Sequence, residues 1–165
     1  MDEAFMRRAL ELARESLEIS GALPYAAVVV KDGEIVGEGL NKAVAIHDPT
    51  SHGEVEAIRD ACSKLGTVRL TDCDLYTTAE PCSMCVATML LAGISNLYYA
   101  SAASTSAAFM GRLAAIDDNY LRRLNSDELR SQVGSPLTER KMPAKQVLAD
   151  DAEALFNEFA KKMGA

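Results

Sequence analysis

The chain has 165 residues and a formal net charge of −7, a size that suits one domain able to bury about two-thirds of its unfolded surface. That acidity argues against a phosphate backbone as the main partner, because nucleic-acid affinity rests largely on clustered Lys and Arg that displace condensed counterions. No run of about 18 apolar residues occurs, and the opening MDEAFMRRALELARESLE is charged throughout, so neither membrane nor secretion is expected.

Residues 2–19 place Met6, Ala9, Leu10, Ala13 and Leu17 at helical spacing behind Asp2 as N-cap, which predicts an amphipathic first helix. Gly21 and Pro24 end it. Strands are expected over 25–31 and 34–39, joined by Asp32-Gly33, the strongest short hairpin signal. The 41–51 segment carries Asp48-Pro49 and no period, and reads as a loop leading to a helix from His52 to about Leu65-Gly66. A β-prone run at 74–78, a helix over 81–92 closed by Gly93 and a strand over 94–100 follow. Alternation of strand and helix makes the sheet partly parallel.

Beyond Ser101 the chain turns small, polar and charged, with helices predicted over 118–124 and from near Asp127 to Gly134-Ser135-Pro136. Residues 145–148 read as a last strand. A helix over 151–163 follows, with a stripe of Ala152, Leu155, Phe156, Phe159 and Met163 and with charged ends that suit the macrodipole. No repeat, low-complexity tract or long linker divides residues 1–165, so a single domain is expected.

Four cysteines could form two disulfides, but Cys82 and Cys85 make a Cys-x-x-Cys pair in a well-cored chain, which favours metal or redox chemistry in a reducing cytoplasm. Cysteines three apart in the first turn of a helix share a face, and the unpaired N–H groups there favour the thiolate that binds metal. With His52 they supply one nitrogen and two sulfurs, which leaves a tetrahedral zinc one position for water, the arrangement of a catalytic site. His47, Cys62 and Cys73 are the other conceivable ligands. None has the spacing, and all three read as structural or surface residues. Glu54, two residues past His52, can reach water at that fourth position without ligating the ion, and suits a proton shuttle. A structural zinc module and a thioredoxin-like redox pair are the competing readings; the redox pair would leave His52 and Glu54 without a role.

His-x-Glu followed by Pro-Cys-x-x-Cys is the pattern of zinc base deaminases, and over residues 22–100 the chain resembles the cytidine deaminase-like superfamily. Within it, NKAVAIHDPTSHGEVEAIRDAC (41–62) and TTAEPCSMC (77–85) are similar to bacterial guanine deaminases. Ile116-Asp117-Asp118 and ERKMPAKQV (139–147) extend the likeness toward the tail with a short insertion. The resemblance implies a three-layer α/β/α sandwich around a mixed five-stranded sheet and one zinc at His52, Cys82 and Cys85. It also implies a homodimer in which residues 135–165 form an exchanged segment covering the partner's site. It further implies that Asn41 hydrogen-bonds the ring, that Tyr25 and Gly53 line the base pocket, and that Asp118 contacts the amino end of the substrate or aids proton transfer.

The function this implies is hydrolytic deamination of a free nucleobase, guanine to xanthine and ammonia, by a zinc-bound hydroxide with Glu54 moving the protons. HGE at 52–54 and LYTT at 75–78 also resemble fungal-type cytosine deaminases, and KKMGA at the tail lacks a terminal aromatic to close over guanine. Cytosine, a triazine or a nucleoside is therefore the alternative substrate. A tRNA adenosine deaminase, which would need a basic surface, and a non-catalytic zinc module stand behind it.

Overall fold

The computed structural model describes residues 2–120 and 124–164. Asp2 accepts the Ala4 N–H at 2.9 Å and so caps α1 (Glu3–Arg14). The α-helix is shorter than the predicted 2–19, since Glu15–Glu18 tighten into a 3-10 turn. Ala9, Leu12 and Ala13 are buried, whereas Leu10 and Leu17 are 45% and 79% exposed.

β1 (Leu23–Lys31) and β2 (Glu34–Asn41) pair antiparallel, with Lys31 opposite Glu34. Asp32 and Gly33 take φ of 51° and 82° between them, the two left-handed residues that a type I′ turn requires. β3 (Cys73–Ala79) runs antiparallel to β1, and β4 (Asn96–Ser101) runs parallel to β3, giving the order β2-β1-β3-β4. The sheet is mixed, as expected, but has four strands among the described residues and not five. The predicted strand at 145–148 is irregular, and Leu148 turns left-handed at φ 54° to start α6 (Ala149–Met163). A β-prone tetrapeptide becomes a strand only where a neighbour completes its hydrogen bonds, and among the described residues no strand pairs with it.

β1 alternates between two layers. Ala27 and Val29 pack with α2 (Gly53–Leu65) and α3 (Ser83–Ala92), while Val28 and Val30 pack with α1 and with Tyr76 of β3. Helices therefore cover both faces. α2 lies backbone to backbone on β2. A Cβ on Gly37 would stand 2.3 Å from Ala57 O, and one on Gly39 would stand 2.2 Å from both Ala57 N and Gly53 O.

After β4 comes a helix that patterning does not reveal, α4 (Ala103–Ala114), whose alanines have the highest helix propensity but whose serines and threonine obscure the periodicity. The helix predicted over 118–124 is a 3-10 turn at Asp118–Tyr120, in which Asp117 accepts the Asn119 N–H; its residues 121–123 lie outside the described residues. α5 (Ser126–Gly134) begins beside Asn125, whose side chain accepts the Glu128 N–H at 2.8 Å.

The chain divides into two compact units, one of residues up to Arg130 and one from Ser131 onward. In the second unit Arg140 donates to the Ser135 and Val133 carbonyls, and α6 exposes Leu155, Phe156, Phe159 and Met163. No helix is long and apolar enough to cross a membrane among the described residues.

Candidate active site

Two helix N-termini converge to build the site. His52 is the N-cap residue of α2, and Cys82 is the N-cap residue of α3 with Cys85 one turn into it. Both cap residues have extended backbones, and neither side chain caps its own helix. The side chains meet instead. Cys82 Sγ and Cys85 Sγ are 3.6 Å apart, and His52 Nδ1 lies 3.7 Å from the first and 3.4 Å from the second. A tetrahedral zinc with ordinary bond lengths sets about 3.8 Å between two thiolates and about 3.6 Å between a thiolate and an imidazole nitrogen. The three donors therefore fit one zinc ion, and their soft sulfur content favours that metal.

The electrostatics match a shared cation. The Cys82 thiol is lowered to about 3, first by the hydrogen bond from Cys85 and further by His52. The Cys85 thiol is raised by that same hydrogen bond and by burial. Glu54 stands in the first turn of α2, 5% exposed, with Oε2 3.4 Å from Cys85 Sγ. Burial raises its carboxyl above the ordinary range, which suits a group that accepts and returns a proton.

A pocket opens above this floor. Tyr25, Asn41, His52, Glu54 and Cys82 line it together with Ala79, Glu80, Pro81, Ser83, Ala103, Ser106, Ser126 and Arg130. Asn41 is buried, and its Oδ1 accepts the Ala43 N–H at 3.1 Å, which fixes the orientation of the amide. The Tyr25 hydroxyl donates to the Ser106 carbonyl at 3.5 Å, and its ring meets Phe109 edge-on.

The other sequence-predicted residues stand elsewhere. Gly53 is buried against β1, where a Cβ would lie 2.7 Å from Tyr25 O, and it is not part of the pocket wall. Asp118 is exposed on its 3-10 turn and is also absent from that wall, although Asn119 and Tyr120 border an adjoining cavity with His47. Cys62 and Cys73 belong to the core packed between the sheet and α2 and α3. Sequence reasoning passes over Glu80, Ser106, Ser126 and Arg130. Glu80 adjoins the cysteine motif and accepts the Ala103 N–H at 2.9 Å, so it ties that motif to α4. The other three are brought in by helices whose packing has no periodic signature.

Residues 1–101 match the family model described as the cytidine and deoxycytidylate deaminase zinc-binding region. The guanine deaminase of Bacillus subtilis is 40% identical over 145 residues, 88% of this chain and 85% of that protein. A tRNA-specific adenosine deaminase of Haemophilus influenzae is 35% identical over 83% of this chain and 81% of its own length. The X-ray structure of the Bacillus subtilis guanine deaminase superposes with a TM-score of 0.80 at 33% identity, covering 98% of this chain and 95% of that one. With the three-donor centre and the buried glutamate already in place, these likenesses identify the chain as a member of the cytidine and deoxycytidylate deaminase zinc-binding family, a zinc-dependent hydrolase of the C–N bond of an amino-substituted nucleobase.

Proposed function

We propose that the protein hydrolyses guanine to xanthine and ammonia. The observation that carries this reading is a buried carboxylate, Glu54, beside a three-donor centre at the floor of a pocket walled by Asn41 and Tyr25. The near full-length likeness to a guanine deaminase selects the base. His52, Cys82 and Cys85 would hold a zinc ion, which when bound would supply Lewis acidity and make water a better nucleophile near neutral pH. Glu54 accepts one proton from the attacking water and delivers it to the adjacent ring nitrogen, then takes the remaining hydroxyl proton and delivers it to the departing amine. A C–O bond forms as the C–N bond breaks, ammonia leaves, and the ring becomes the keto product. Asn41, with Oδ1 held by Ala43, offers its NH2 to an acceptor on the ring. Tyr25 supplies an aromatic wall.

Asp118 enters the proposal through its turn, because the next two residues border the cavity beside the site. A small closure over the substrate brings its carboxylate to the amino end. The reading includes a homodimer with residues 135–165 exchanged, supported by the exposed stripe of α6, and a cytoplasmic location, supported by four unbridged cysteines.

The experiment is ammonia release by the zinc protein from guanine, cytosine, adenine, their nucleosides and amino-triazines, with Glu54→Ala as control. Guanine is expected to respond and the variant to be silent. Turnover of cytosine or a triazine in its place overturns the choice of base, and salt-sensitive tRNA binding with adenosine deamination overturns the free-base reading, which the net charge of −7 supports.

A further inference from the structure

Among the described side chains, two buried polar atoms lack any hydrogen-bond partner, Ser51 Oγ and Ser106 Oγ. Only Ser106 belongs to the pocket wall. Buried hydroxyls in folded proteins are nearly always paired, so an orphan at a binding site marks the place where a ligand atom completes the bond.

The setting of Ser106 sharpens this. A helical serine commonly turns its hydroxyl back onto the carbonyl four residues earlier, as Thr88 does onto Met84 at 2.9 Å, but the Ser106 hydroxyl makes no such bond to Ala102. Its own carbonyl is occupied as well, accepting from the Tyr25 hydroxyl. Phe109, one turn further along α4, packs edge-on against the Tyr25 ring with centroids 6.1 Å apart, and Glu80 accepts the Ala103 N–H at the start of the helix. Three contacts therefore fix α4 against the pocket, and the backbone around Ser106 is held while its hydroxyl is left unsatisfied. No described protein group pairs with that oxygen, and Ser106 lines the pocket, so a ligand bound there can supply the partner once the hydroxyl rotates toward it.

We propose that Ser106 Oγ is a specificity-determining contact, hydrogen-bonding one heteroatom on the edge of the bound purine. It rests on the guanine reading above and assigns to α4 the task of distinguishing purines that carry that heteroatom from those that do not. A site built to pair with a polar atom penalises the analogue lacking it, because the protein group is then left buried and unmatched.

The test compares wild type and Ser106→Ala on guanine, on 7-deazaguanine, which lacks the N7 acceptor, and on 6-thioguanine, in which sulfur replaces the O6 acceptor. Zinc content and thermal midpoint are measured in parallel. Alanine is the better helix former, so the variant is expected to keep its fold. Guanine kcat/KM is expected to fall on the order of 10- to 100-fold, while one analogue is processed equally by both proteins because the bond is already missing. Guanine turnover within twofold of wild type, or an equal loss on every analogue, overturns the inference and leaves the functional reading intact. Failure of the wild type to release ammonia from guanine overturns that reading and the inference with it.

Discussion

Gly39→Ala tests whether the backbone contact between β2 and α2 positions the catalytic machinery. The added Cβ would stand 2.2 Å from Ala57 N, 2.2 Å from Gly53 O and 2.8 Å from Glu56 C, all of them main-chain atoms that cannot rotate aside. Ordinary separation requires the first turn of α2 to move by roughly 1 Å, and overpacking of this kind costs about 3 kcal/mol. The lost flexibility of the unfolded chain returns about 0.4–1 kcal/mol. The net destabilisation of about 2 kcal/mol lowers the thermal midpoint of a chain this size by about 4–8 °C.

The same turn carries Glu54 and follows His52, whereas Cys82 and Cys85 sit on α3 and stay in place. A displacement of that size in a catalytic constellation costs about 100-fold in rate. Thermal unfolding by circular dichroism, zinc content and ammonia release measure the three consequences. A midpoint within about 1 °C of wild type and activity within about twofold would refute the argument that this glycine is required by close approach.

Glu54→Gln removes the proton acceptor while keeping the shape. Turnover should fall by about 10²–10⁴-fold with zinc still bound, because Glu54 is outside the ligand set; loss of zinc in this variant would instead make it a ligand. Cys85→Ser removes a donor from a centre that joins α2 to α3, chelation of the wild type removes any ion held there, and a lower thermal midpoint is expected of both; an unchanged midpoint would show that the metal adds nothing to the fold. Arg8 donates to Glu38 through Nε at 2.6 Å and Nη2 at 2.8 Å, and this hydrogen bonding holds the Glu38 carboxyl below its ordinary range. The stabilisation is present above that range and is lost as pH falls through the lowered value, so Glu38→Gln should cost about 0.5–1 kcal/mol at neutral pH and progressively less in acid. A difference independent of pH would contradict the pairing.

The metal centre was legible in the chain because its chemistry is local. His52 with Glu54, and Cys82 with Cys85, each lie within one turn at the start of a helix, so spacing alone brings each pair to one place. The hairpin at Asp32-Gly33 and the cap at Asp2 were legible for the same reason, since both depend on a few neighbouring residues. The rest of the pocket was not. Ser106, Ser126 and Arg130 reach it only because α4 and α5 fold beside the site, and nothing in an Ala- and Ser-rich run states which face will meet Tyr25. Gly53 has a sequence position beside the ligands, yet its packing is against β1. The predicted fifth strand failed for a related reason: residues 145–148 have strand-like composition, but strand formation is decided by a hydrogen-bonding partner distant in sequence. Local spacing thus determined which atoms could hold a metal and move a proton. Only the tertiary structure decided which side chains close around the base, because that depends on helix and sheet surfaces meeting across long stretches of chain.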